Sequence, residues 1–142
     1  MKMKQQLFQA MSRNERTYEE MARNIWEHPQ VGYEETYAFS LQKDFLQSEG
    51  FRITPNVGDV ETAFVAEWGT GGPIIGFLGE YDALPGLSQQ DQPTYAPVVE
   101  GGPGHGCGHN LLGTASVEAV VALKRLMGEQ NMAGTILSLI HI

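Results

Sequence analysis

A single cysteine, Cys107, stands among 142 residues, so no internal disulfide can form. That excludes the small stapled folds of secreted proteins and fits a reducing cytoplasm. Positive charge is also scarce: 9 Lys and Arg stand against 17 Asp and Glu, a formal charge of −8. A polyanion normally meets clustered Lys and Arg, so no nucleic-acid partner is expected. Long apolar runs are missing too, and none reaches the roughly 20 residues of a bilayer-spanning helix. The opening MKMKQQLFQAMSRNER does not carry the apolar stretch of a secretory signal. The expected setting is therefore cytoplasmic, without a membrane partner. What is present, 42% hydrophobic and 18% charged residues, is the composition of a globular domain with one core.

Spacing along the chain predicts the order of elements. Tyr18, Met21, Ile25 and Trp26 recur at helical intervals, giving a helix from about Ser12 to Glu27 that His28-Pro29 ends. A second helix is expected over about Glu34 to Ser48, with Tyr37, Leu41, Phe45 and Leu46 inward and Gly50 as its stop. Strands follow at Phe51 to Ile53, Thr62 to Trp68 and Pro73 to Leu78, and Gly69 to Gly72 reads as a hairpin turn between the last two. Gly79 to Gly108 is loop-like, and a loop of that length in a compact domain is usually functional or disordered. Asn110 is expected to cap a helix over about Leu111 to Met127, with Leu112, Ala115, Ala119, Ala122, Leu123 and Leu126 as its apolar stripe. Thr135 to Ile142 reads as a last, apolar strand with nothing after it to cover its edges. The pattern is that of a layered α/β domain.

The chemistry is concentrated in Gly101-Gly102-Pro103-Gly104-His105-Gly106-Cys107-Gly108-His109-Asn110. Imidazole nitrogen and thiolate sulfur are donors that zinc and similar divalent ions prefer. Glycines between them let one short segment bend its donors toward a single ion. A lone cytosolic cysteine is ordinarily a core residue. One flanked at two residues on each side by histidine, in a glycine-rich loop, points to metal. A phosphate loop is a poor match, because neither G-x-x-x-x-G-K-[ST] nor G-x-G-x-x-G is present.

A second segment, Gly79-Glu80-Tyr81-Asp82-Ala83-Leu84-Pro85, follows the apolar strand directly. Carboxylates at a strand's carboxyl end can bind a cation or hold a ligand imidazole by its second nitrogen, although turn chemistry alone places many there. A third, His28-Pro29-Gln30-Val31-Gly32-Tyr33-Glu34-Glu35, has a sufficient structural account: proline breaks one helix and the glutamates favour the start of the next. His28 is not expected to be a ligand, and His141 carries no functional signal.

Taken in order, these three segments resemble landmarks of the aminoacylase and carboxypeptidase family of metallopeptidases, in its amidohydrolase branch. The wording Gly-Cys-Gly-His-Asn-Leu-Leu-Gly is nearest to the subgroup of aminobenzoyl-glutamate hydrolases, and the likeness runs from about Tyr18 to Ile136. The resemblance implies a three-layer α/β/α catalytic domain of zinc-peptidase type, interrupted in the family by a lid and dimerisation domain. It implies two divalent ions, zinc or manganese, that activate water for amide hydrolysis, and a homo- or hetero-oligomer in the full-length protein. Cys107 and His109 match the family's metal ligands, Asp82 matches the aspartate that orients a ligand, and His105 matches a supporting residue. Glu80 stands where many relatives carry a ligand histidine. The family's Glu-Glu pair, general base and ligand, follows the strand that here begins Gly134-Thr135-Ile136, and Leu137 to Ile142 does not look like it. Residues 1–142 are therefore expected to be the N-terminal part of a truncated catalytic domain, without the lid. The implied substrate is a small N-acyl amino acid, aminobenzoyl-glutamate among them. Two alternatives stand beside this: a metal-binding module without turnover, and an anion-binding module using the glycine loop and the helix after it.

Overall fold

The computed structural model describes residues 2–141. In chain order the elements are α1 (Met3–Ser12), α2 (Glu15–Glu27), α3 (Thr36–Ser48), β1 (Arg52–Pro55), β2 (Phe64–Thr70), β3 (Ile74–Gly79), α4 (His109–Glu129) and β4 (Gly134–Ile140), with a single 3-10 turn at Val57–Asp59. Helix α1 was not expected. Half of its ten residues are polar and only Ala10 is buried, so it shows little of the periodicity that betrays a helix.

The four strands lie in the order β1-β2-β4-β3. β1 and β2 are antiparallel, β2 and β4 are antiparallel, and β3 runs parallel to β4. Two expectations fall here. Gly69 to Gly72 does not close a hairpin, because β4 lies between the strands it connects. The last strand is not an open edge either: β4 is paired on both sides, with Ile136 opposite Trp68 in β2 and Ile75 in β3. Its continuous apolar wording suits an interior position, and α4 is the crossover that returns the chain to it. The outer strands are β1 and β3.

Side chains alternate across the sheet. Phe64, Ala66, Ile136 and Ile140 face a core completed by Tyr18, Met21 and Ile25 of α2, Ala38 and Leu46 of α3, and Val117, Val120 and Val121 of α4. Ile25, Leu46, Phe64, Val117, Val120 and Val121 are fully buried, each contributing about 1.5–3 kcal/mol of transfer free energy. The buried face of α4 is rotated from the expected stripe. Leu112 is 45% exposed, while Gly113, Thr114, Val117, Val120 and Val121 turn inward. Small and β-branched residues allow α4 to lie close on the sheet, which the larger leucines would prevent. This is the expected mixed α/β class. Among the described residues the helices cover one face. Val65, Leu78, Leu137 and Leu139 alternate onto the other, with Leu78 53% exposed.

Candidate metal centre

Two loops meet at the end of the parallel pair. β3 ends at Gly79, and in the three residues that follow neighbouring side chains go to opposite sides. Tyr81 is buried in the core, where its hydroxyl donates to the Thr62 carbonyl and burial pushes its pKa well up. Glu80 and Asp82 turn instead into a cleft of about 540 Å³, which Tyr33, Val57, Val60, His109 and His141 also line.

The glycine-rich segment delivers His109 to the same place. Gly104 pairs with Leu84 and lies so close to Leu87 that a Cβ there would sit 1.9 Å from the Leu87 carbonyl oxygen. Gly108 takes the left-handed conformation, φ 84°, and is the cap from which α4 starts. Asn110 is thus not the cap. It lies inside the helix and donates its amide to the carbonyl of Ala22, tying α4 to α2.

His109, the first residue of α4, stands between two carboxylates. Its Nδ1 is 2.8 Å from Asp82 Oδ1, and its Nε2 is 2.9 Å from Glu80 Oε2. All three side chains are partly shielded, with exposures of 17%, 24% and 32% for His109, Asp82 and Glu80. Donor atoms of Glu80, Asp82 and His109 lie within 4.8 Å of one another. One imidazole and two carboxylates suit zinc or manganese, so the residues present fit a divalent ion.

The other residues singled out from sequence fall elsewhere. Cys107 is exposed and belongs to neither of the three-donor groups found among the described residues. The ring of His105 points away toward α2, with Nε2 3.1 Å from the Ile25 carbonyl oxygen and Nδ1 buried without a partner; burial lowers its pKa. His28 stacks on Tyr37, ring centroids 4.0 Å apart, with its Nδ1 near the Asn24 carbonyl, in keeping with a structural role.

No family model matches the sequence. Among curated proteins, a subunit of the p-aminobenzoyl-glutamate hydrolase of Escherichia coli is 45% identical over 130 residues, which cover 89% of this chain and 27% of that protein. An aminohydrolase from methicillin-resistant Staphylococcus aureus superposes with a TM-score of 0.73 at 20% identity, over 96% of this chain and 34% of its own. A dinuclear metal binding peptidase of the M20 family from Bacillus subtilis superposes with a TM-score of 0.66 at 24% identity, over 92% and 34%. The chain belongs to the metallopeptidase and amidohydrolase family of this curated relative. It spans about a quarter of the curated relative's length.

Two residues at the cleft escaped the sequence reading. Glu35, read as helix-start chemistry, is fully buried, and Thr62 Oγ1 donates to its Oε2 at 2.8 Å. His141, read as an uninformative strand residue, places Nε2 2.8 Å from Glu35 Oε1. Burial pushes the Glu35 carboxyl up, but His141 and the Thr62 hydroxyl outweigh it and hold the group below its ordinary value. The facing carboxylate raises the pKa of His141. A sequence offers little sign of such a pair; a glutamate at a helix start and a histidine in a strand are each unremarkable alone.

Proposed function

We propose that this chain forms part of the catalytic domain of a metal-dependent amidohydrolase, and that His109 is its principal metal ligand. The observation that carries the reading is the imidazole of His109 held between Asp82 and Glu80. Asp82 accepts a hydrogen bond from Nδ1–H, which fixes the tautomer and leaves the Nε2 lone pair directed at the cation position beside Glu80. In this reading Asp82 orients the ligand without binding the ion itself. Cys107, two residues before His109 on a glycine-flanked loop, is the second ligand proposed from the family pattern, and Glu80 a further carboxylate donor.

The full-length centre would hold two divalent ions, zinc or manganese. Such ions supply Lewis acidity toward an amide carbonyl and a source of nucleophile at neutral pH. Tyr33, Val57 and Val60 line the same cleft as the acidic cluster. The substrate class we propose is a small N-acyl amino acid, with aminobenzoyl-glutamate the first to assay, because the 45%-identical relative is named for it. That relative is named as one subunit of its enzyme, which supports reading this chain as a component of an oligomer. The second reading is a metal-binding module without turnover, resting on the Glu80, Asp82 and His109 donor group alone.

The test is metal binding by the 142-residue chain. Zinc content after dialysis should fall with His109→Ala and with Cys107→Ser. Equal occupancy in the wild type and both variants would remove the basis for the assignment.

A further inference from the structure

Tyr33 combines two features that are unusual for a tyrosine, a left-handed backbone and an exposed ring. The turn from Val31 to Glu34 is closed by a 3.0 Å hydrogen bond from the Glu34 amide to the Val31 carbonyl. Its third residue, Tyr33, lies at φ 72°. Glycine or asparagine suits that position, and a bulky L residue there is strained. The glycine of this turn stands one place earlier, at Gly32. Burial does not offset the strain, because Tyr33 is 76% exposed. The turn is nevertheless pinned on both sides. Val31 bridges to Ala83, whose amide donates to the Gln30 carbonyl, and Glu35 is buried and accepts from the Thr62 hydroxyl. The first of these anchors is next to Asp82. A strained turn held by its surroundings thus keeps an aromatic ring in the cleft that Glu80, Asp82 and His109 line. Strain that persists in this way beside chemistry-bearing residues points to function.

A cleft of about 540 Å³ has the size of a small-molecule site. Its lining divides chemically: Glu80, Asp82 and His109 are polar donors, whereas Tyr33, Val57 and Val60 are apolar. The ring of His141 lies 6.3 Å from that of Tyr33 and is tilted by 35°, so it leaves most of the tyrosine open. An open π surface in such a cleft suits a second aromatic ring, which packs offset or edge-on at centroid separations of about 4.5–7 Å. We infer that Tyr33 is a specificity-determining residue: its ring is the platform on which the aromatic part of an aroyl-amino acid rests, so the cleft selects aroyl over aliphatic acyl groups. The inference rests on the amidohydrolase reading and adds to it the group that recognises the acyl side. Only the ring is required, so phenylalanine would serve as well.

The experiment is calorimetric titration of the 142-residue chain, with and without manganese chloride, using p-aminobenzoyl-glutamate and N-acetyl-glutamate as probes. Wild type should bind the aroyl compound about 3- to 10-fold more tightly than the acetyl one, the contribution of one aromatic pair. Tyr33→Asn should abolish that preference without changing the affinity for N-acetyl-glutamate, and Tyr33→Phe should keep it. Urea unfolding supplies the readout that separates recognition from packing: Tyr33→Asn should be at least as stable as wild type, since asparagine tolerates the left-handed conformation. Equal affinities for the two probes in wild type, failure of wild type to bind either, or a preference that survives Tyr33→Asn overturns the inference. A Tyr33→Asn variant less stable than wild type overturns it too, because the tyrosine would then be a packing residue. Failure of the metal reading looks different. Manganese then changes neither affinity, while the aroyl preference still follows Tyr33, a result that supports the platform and refutes the metal centre.

Discussion

Helix α4 contains two glycines, Gly113 near its start and Gly128 in its last turn, whose replacement by alanine should have opposite effects. Gly113 lies against the end of β3: a Cβ there would be 2.5 Å from the Glu80 carbonyl oxygen and 3.0 Å from Gln42 Nε2. Gly128 has nothing within 4 Å of the corresponding position. In an unobstructed helix, alanine stabilises relative to glycine by roughly 0.5–1 kcal/mol. At Gly128, in the last turn, part of that gain should appear. At Gly113 it competes with an overpacking cost of about 1–3 kcal/mol. The obstacle is a backbone carbonyl between strand and loop, which cannot rotate aside as a flexible side chain can. The net change for Gly113→Ala is therefore a loss of up to about 2.5 kcal/mol, centred at about 1 kcal/mol. The clash has a chemical consequence too, since the displaced carbonyl belongs to Glu80 and the helix carries His109. Any opening between α4 and β3 separates the imidazole from Glu80 and Asp82. Urea unfolding followed by the fluorescence of Trp26 and Trp68 measures the stability, and manganese titration measures the centre. Gly113→Ala as stable as wild type, with unaltered affinity, would show that the close approach of helix to strand does not position this site.

Asp82→Asn should weaken metal binding by about 10- to 100-fold, as loss of an outer carboxylate does; affinity by calorimetry equal to that of wild type would make Asp82 a turn residue. Glu118, on α4, has its pKa raised above the ordinary 4.5 by burial first and by Glu15 second. For a carboxyl whose folded pKa is raised, the penalty is absent below the unfolded value and grows as pH rises through the folded one. Glu118→Gln should then stabilise the protein near pH 7 and have little effect at about pH 4, by thermal melts at the two pH values; a larger gain at low pH would contradict the assignment.

How far these features could be read from sequence depended on whether the signal was local. Helices α2 and α3 were legible because their apolar residues recur within one turn. Proline and glycine also punctuate their ends. The long segment from Gly79 to Gly108 was legible as loop for the same reason: residues 80–108 carry no helix or extended strand, only isolated bridges at Ala83, Leu84 and Gly104. Strand order was not legible. The four residues Gly69 to Gly72 have the composition of a hairpin turn. Only the demand of β4 for two neighbours, met by crossing over through α4, separates β2 from β3. The same crossover turned a supposed sticky edge into the interior of the sheet.

The cleft shows the distinction at the level of single side chains. His109 drew attention because donors and glycines cluster around it in one segment, and Asp82 because it follows a strand. Cys107 drew equal attention from the same segment, yet the fold leaves its thiol exposed and brings Glu80 to the imidazole. Adjacency in sequence fixes which backbone carries a donor, while the backbone conformation decides where that donor points. Alternation carried on past the end of β3 puts Tyr81 in the core and Glu80 and Asp82 together in the cleft, so a carboxylate pair was implicit in the spacing. Glu35 and His141 had no such spacing to reveal them. They come from the start of α3 and from the residue after β4, and they meet only because β4 is interior and ends beside β3. A buried carboxylate paired with an imidazole then becomes visible, and no local pattern in the chain could have announced it.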